Sequence, residues 1–273
     1  MRGRDRLLME PMGMNDWSLP VDKIDLAARF GKAASCYDQH AVVQQQIGEY
    51  LLHLISQQNY EVALDLGCGT GFFLQKLQPL SNQLIALDLS LGMLMAATQK
   101  VSGVNFICGD AEQLPLSDSA FDLVFSSLAL QWCASLPLAL GEIYRILRPG
   151  GRVAFATLSA GSLPELRRAW QQVDDLDHVN PFIGEEVLQS LCLQQKFRLE
   201  QWFCRRHVLH YPTLRELLMG LKGIGANQVT GQRAPGLSGR QRWLALEKAY
   251  ENERDNTGLL PVSYEVCYGV LTR

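Results

Sequence analysis

The chain has 273 residues, 47% of them hydrophobic, and a formal net charge of −3, enough for one sheet flanked by helices around a substantial core. Seven cysteines are scattered without C-x-x-C pairs or a metal-ligand pattern, so reduced thiols, most of them small core residues, are expected and no metal. No apolar stretch approaches the ~20 residues of a membrane span and no signal-peptide core follows the basic start, which predicts a cytoplasmic protein with no membrane partner.

Residues 1–20 hold three arginines and no helical period, and are expected to be a disordered tail or a mis-chosen start upstream of Met14. The remainder, 21–273, reads as a single domain. Apolar residues then recur at helical spacing over Asp22–Ala34 (Ile24, Leu26, Ala27, Phe30) and His40–Ile55 (Val43, Ile47, Leu51, Leu54), predicting two helices within 21–57 that lid a cleft. The run Val62-Ala63-Leu64-Asp65-Leu66 is a buried strand, and Gly67-Cys68-Gly69-Thr70-Gly71 joins it to a helix beginning near Phe72. Glycines there allow positive φ and let backbone N–H groups at the helix start face a ligand. A dinucleotide fingerprint, G-x-G-x-x-G, would need glycine at position 72, which is Phe. G-x-G-x-G with Asp65 two residues ahead resembles instead the S-adenosylmethionine loop of class I methyltransferases.

A second strand, Leu84–Leu87, ends in Asp88, which is placed either to take both ribose hydroxyls of a nucleoside or to cap the next helix; Leu89 and Met93 follow on the same side. A third, from Val104, ends at Asp110-Ala111, placed to meet an adenine edge, and a fourth, Phe121–Ser127, brings Ser126 to the crevice. A helix over Ala139–Leu147 stops at Arg148-Pro149-Gly150-Gly151, and a fifth strand spans Arg152–Thr157. This alternation implies a parallel sheet with right-handed crossovers. Residues 160–245 then form an insertion-like block, mainly helical (Pro164–Val173, Glu185–Leu193, Thr213–Leu221), expected to cover the strand ends and shape an acceptor pocket before a last strand at Val262–Leu271. Within it, Lys196 to Arg242 carries nine bases against two acids. Such a run is either a solvated face or a surface for an anionic partner.

Four further stretches narrow the reading: Ala28-Arg29-Phe30-Gly31-Lys32-Ala33-Ala34 with Tyr37-Asp38-Gln39-His40-Ala41, Leu128-Ala129-Leu130-Gln131-Trp132-Cys133, Gly161-Ser162-Leu163-Pro164-Glu165-Leu166, and Leu221-Lys222-Gly223-Ile224-Gly225-Ala226. From about residue 24 onward the chain resembles the malonyl-acyl-carrier-protein O-methyltransferases of biotin synthesis. The resemblance implies an α/β class I (Rossmann-like) methyltransferase fold: a seven-stranded, mostly parallel sheet with helices on both faces and a helical insertion after the fifth strand. It implies methyl transfer from S-adenosyl-L-methionine to the free carboxylate of a malonyl thioester. It also implies an acidic carrier protein as partner, met by the basic segment 196–242, and no nucleic acid. The segment Gly231–Gly239 matches the family only loosely.

The residues read as cofactor-binding are Asp65, Gly67, Gly69, Gly71, Asp88, Leu89, Met93, Asp110, Ala111 and Ser126. A carboxylate is ionised at neutral pH, since carboxyl groups titrate near ~4, so the acceptor needs alignment and desolvation rather than a general base. Tyr37 and Trp132, with Phe30, are expected to wall that pocket, although Tyr37 and Trp132 are equally at home as packing aromatics and Phe30 more so. Lys222 is the first candidate to hold the acceptor carboxylate. Arg145 is its rival, but Glu142-x-x-Arg145 also suits a local i,i+3 pair, and His178 and Asn180 lie in a loop that could reach the acceptor. The alternatives are a quinone-type C- or O-methyltransferase, which would need an acid or base near Trp132, and a non-catalytic methyltransferase-like module. A nicotinamide dehydrogenase is disfavoured by Phe72 and by the absence of a Tyr-x-x-x-Lys pair.

Overall fold

The structure is a computed structural model, and residues 21–223 and 239–273 are described. The predicted tail and the segment 231–238 lie outside them. Seven strands form one sheet: β1 (Tyr60–Leu66), β2 (Ser81–Asp88), β3 (Asn105–Cys108), β4 (Phe121–Ser127), β5 (Leu147–Leu158), β6 (Arg198–Tyr211) and β7 (Leu260–Thr272). Their order is β3-β2-β1-β4-β5-β7-β6, with the first five parallel and β7 antiparallel to both of its neighbours. The chain leaves β1 toward one edge and returns at β4 to build the other, so a crevice opens at the carboxyl ends of β1 and β4, where parallel α/β sheets bind ligands.

The central strands are buried on both faces, which is why they read as nearly continuous apolar runs. Alternate residues feed two cores: Ala63, Leu123 and Phe125 lie on one face, Leu64, Val124 and Val153 on the other. The second is closed by α6 (Leu136–Ile146) and α8 (Glu185–Gln194), the first by α3 (Val42–His53), α7 (Pro164–Gln171) and α9 (Leu214–Gly223), among others. Ahead of the sheet, α1 (Lys23–Ala33) starts at Asp22, whose carboxylate accepts the N–H groups of Ile24 and Asp25. The second predicted helix is divided, with α2 (Tyr37–His40) preceding α3, while α4 (Leu74–Leu77) and α5 (Leu91–Thr98) follow β1 and β2.

Three expectations are corrected. The block after β5 is not mainly helical: it contains β6, fourteen residues long, and α10 (Gly239–Tyr250) beside the helices foreseen. β6 has a bulge between Leu199 and Gln201 that shifts the phase of its alternation, and its exposed residues mix charged, polar and apolar side chains, so no sustained period-2 apolar signal survives. The fifth strand begins at Leu147 and runs through Pro149-Gly150-Gly151, because the backbone of Gly150 and Gly151 pairs with that of Arg273. Finally, Cys204 and Cys267, opposite one another on β6 and β7, form a disulfide, whereas Cys36, Cys68, Cys108, Cys133 and Cys192 are free. Two cysteines placed in register on neighbouring strands are a pairing that scattered sequence positions do not display.

Candidate active site

The glycine turn leaves β1 with Gly67 at φ +77° and Gly69 at φ +55°, and its amides are spoken for by the next strand: Gly67 and Cys68 donate to the Leu87 carbonyl at 2.8 and 3.0 Å. A side chain at Gly67 would strike Ala129, whereas the space in front of Gly69 is empty to 4 Å. Asp88 closes the other side. Its Oδ2 accepts the Gly69 N–H at 2.9 Å and its Oδ1 the Ser90 N–H at 2.7 Å, so it braces the turn and starts α5 at once. Burial raises its carboxyl, and the two amide bonds oppose that. Asp65 behind it is 2% exposed, and its Oδ2 has no hydrogen-bond partner among the described residues. Burial and then the Asp88 charge push its carboxyl up to about 8.

A single cavity runs along these strand ends. Gly67, Gly69, Asp88, Leu89, Met93, Asp110 and Ala111 line it, as do Tyr37 and Trp132; Asp65, Gly71 and Ser126 stand behind its wall. Ser126 donates to the Leu66 carbonyl at 2.9 Å, and Gly71 packs on Ala97.

The lid helices are tied to this rim by contacts that the sequence reading missed. Lys23 of α1 meets Asp110 at 2.5 Å and Glu112 at 2.9 Å. Burial lowers its ammonium, but the two acids outweigh that and hold it above its ordinary value. Asp38 of α2 accepts from Thr70 of the glycine turn at 2.5 Å and pairs with Lys100. Ser90 donates to the Ala27 carbonyl at 2.8 Å, where Gly92 of α5 crosses Gly31 of α1. The lids thereby bring the aromatic residues together: the Phe30 ring stands edge-on to Trp132 at 5.4 Å and 6.5 Å from Tyr37. Burial, then Asp88 and Asp38, push the Tyr37 phenol far up, so it stays protonated at neutral pH. Leu128, held at φ +55°, and Gln131, which accepts from Thr157 at 3.2 Å, complete the wall beside Trp132.

The far wall is apolar, built from Leu158, Leu163, Leu166, Val179, Phe182 and Leu221. Leu163 is presented there by a left-handed turn, and Glu165 anchors it by accepting the Ser263 N–H at 3.1 Å and hydroxyl at 2.6 Å. His178 and Asn180 reach this wall. Lys222 is exposed while its neighbour Leu221 lines the cavity, and Arg145 lies elsewhere, forked onto Glu142 at 2.7 and 2.8 Å and bonded to Leu114 and Leu116. Among the described residues, the bases of segment 196–242 other than Lys196 lie on β6, α9 and α10. Within it, Arg206 pairs with Glu265, Arg242 with Asp174, and Arg205 lies 5.3 Å over the Tyr50 ring.

Among known proteins, a family model described as a methyltransferase domain matches residues 64–155. A malonyl-[acyl-carrier protein] O-methyltransferase of Serratia marcescens is 43% identical over 253 residues, covering 93% of this chain and 97% of that one. The biotin biosynthesis bifunctional protein BioHC of Cellvibrio japonicus is 44% identical over 93% of this chain, which spans 51% of that protein's length. The crystal structure of a putative methyltransferase from Bacillus halodurans superposes with a TM-score of 0.60 at 16% identity, covering 82% of this chain and 97% of that chain, a likeness of fold. With the class I methyltransferase sheet, the glycine turn closed by Asp88 and a match over nearly the full length of the Serratia marcescens relative, the chain belongs to the malonyl-[acyl-carrier protein] O-methyltransferase family.

Proposed function

We infer that the protein transfers a methyl group from S-adenosyl-L-methionine to the free carboxylate of a malonyl thioester on acyl carrier protein, in biotin synthesis. The observation that carries this is the near-full-length match to the Serratia marcescens enzyme in a chain whose cavity joins the glycine turn to an apolar chamber. The residues fit the donor: open space lies before Gly69, Asp88 faces the cavity, and a buried Asp65 oxygen lacks a partner. When bound, the donor supplies an electrophilic methyl on a sulfonium. In our reading Asp88 holds the ribose, Asp110 and Ala111 meet the adenine, and Gly67 and Gly69 allow close approach of the backbone. Asp65 and Gly71 support that turn from behind, and Ser126 holds the end of β1 through its bond to Leu66.

The protein's part in the chemistry is alignment and exclusion of water. An anion and a cation lose their charges together in the transition state, so a dry aromatic wall of Phe30, Tyr37 and Trp132 favours reaction over the solvated ground state, and orientation supplies effective molarities of ~10⁵–10⁸ M. No proton has to be removed from an ionised acceptor. The alternative of a quinone-type methyltransferase is not favoured by the relatives. The bases of β6, α9 and α10, Lys222 among them, would orient the acidic carrier at the surface. No helix among the described residues is long and apolar enough to cross a membrane, and a cytoplasmic setting belongs to the same proposal.

The test is the product. Incubation with malonyl-carrier protein and methyl-labelled donor should add one methyl mass to the acyl group, as an ester removed by mild base. A base-stable product, or no transfer, defeats the reading.

A further inference from the structure

The apolar chamber leaves the acceptor's negative end without an obvious counter-charge, since Lys222 is exposed and Lys23 is engaged by Asp110 and Glu112. Among the described residues that line the cavity, the only other side chain able to carry positive charge is His178. Resting on the carboxyl methyltransferase reading above, we propose that His178, fixed by Asp174 and Trp170, is the group that holds the malonyl carboxylate and so selects a malonyl over an uncharged acyl thioester.

The geometry supports it in three steps. The ring is immobilised: its Nε2 bonds Asp174 Oδ1 at 2.7 Å, and its face stacks on Trp170 at 3.7 Å and 15°. Its Nδ1 makes no hydrogen bond among the described residues, so one nitrogen remains for a ligand. The partner, Asp174, is itself fixed, accepting the Leu176 N–H at 3.1 Å and pairing with Arg242 of α10 at 2.6 Å.

Charge decides what the free nitrogen can do. With Nε2–H given to Asp174, a neutral ring would offer only a lone pair at Nδ1, whereas the imidazolium offers an N–H. Burial works against the Asp174 charge, but the bonds from His178, Leu176 and Arg242 outweigh it and keep that carboxyl below its ordinary range. In the proposed complex the ring donates from both nitrogens, Nε2–H to Asp174 and Nδ1–H to the carboxylate, which enters between apolar side chains and accepts one charge-assisted hydrogen bond. The neighbouring Asn180 lines the same wall, its carbonyl turned to Arg167 at 3.5 Å.

The experiment compares His178→Gln and Asp174→Asn with the wild-type chain, using malonyl-carrier protein as substrate and acetyl-carrier protein, which lacks the carboxylate, as competitor. His178→Gln should raise KM for the malonyl carrier about tenfold, the effect of losing one charge-assisted hydrogen bond, and leave the inhibition constant of the acetyl carrier unchanged. Asp174→Asn, which keeps the imidazole, should shift the same ratio less. Calorimetric cofactor affinity should hold. If malonyl and acetyl carriers weaken together in both variants, or neither changes, His178 only packs the loop and the assignment is overturned. Absence of ester formation by the wild-type chain would instead overturn the carboxyl methyltransferase reading on which it rests.

Discussion

Asp65 is buried at the end of β1, beside Asp88 but outside the cavity lining. Two percent exposed, with one oxygen unpartnered and Asp88 nearby, its carboxyl is pushed up to about 8. Between the ordinary carboxyl value near ~4 and that raised value, the folded chain keeps a proton the unfolded chain has lost, so stability falls as pH rises through this window. Asp65→Asn removes the titration. In the ligand-free protein it should raise the melting temperature more at pH 8 than at pH 5, measured by calorimetry, and equal shifts at both would show that Asp65 stays ionised. The sequence made Asp65, the glycines and Asp88 visible because a parallel strand, its turn and the next strand end fall at fixed spacings. It gave no hint of Lys23 on Asp110 or Asp38 on Thr70, which join residues 87 and 32 positions apart that no local period links.

At the scale of elements, the lid depends on one close crossing. A methyl at Gly92 would lie 2.6 Å from the Gly31 Cα, so α1 cannot keep its seat on α5 if that position gains a side chain. Gly92→Val should therefore displace Lys23 and Phe30 from the rim and weaken cofactor binding about tenfold by calorimetric titration, with the sheet's far-ultraviolet signature intact. Unchanged affinity would mean that α1 is not part of the cofactor site. The elements that were legible are those whose burial is simple: β1, β2 and β4 as apolar runs, and α6 with Leu136, Leu140 and Ile143 on one face. β6 was not, because a bulge and an exposed edge erase its alternation, and α10 was not, because only Leu246, Ala249 and Tyr250 of its twelve residues are buried.

For the molecule as a whole, the uneven charge is the feature most open to test. Individual exposed pairs contribute little, about 0.2–1 kcal/mol, and are screened beyond ~8 Å at physiological salt, so a basic face acts mainly on encounter. Raising salt should increase the apparent KM for malonyl-carrier protein several-fold and leave cofactor affinity nearly unchanged, and Arg205→Glu with Arg206→Glu should reproduce that loss at low salt. Equal effects on a small malonyl thioester would reduce the segment to a solvated face. The position of these arginines has a second consequence. β6 is the outer strand of the sheet, with β7 its one neighbour among the described residues, and it presents a long row of backbone groups open to pairing with another chain. Arg198, Glu200, Arg205 and Arg206 stand exposed along that row, and burying such charges against a foreign strand is costly. The arginines among them, which we assign to greeting a carrier protein, thus also oppose edge-to-edge stacking of copies of this chain.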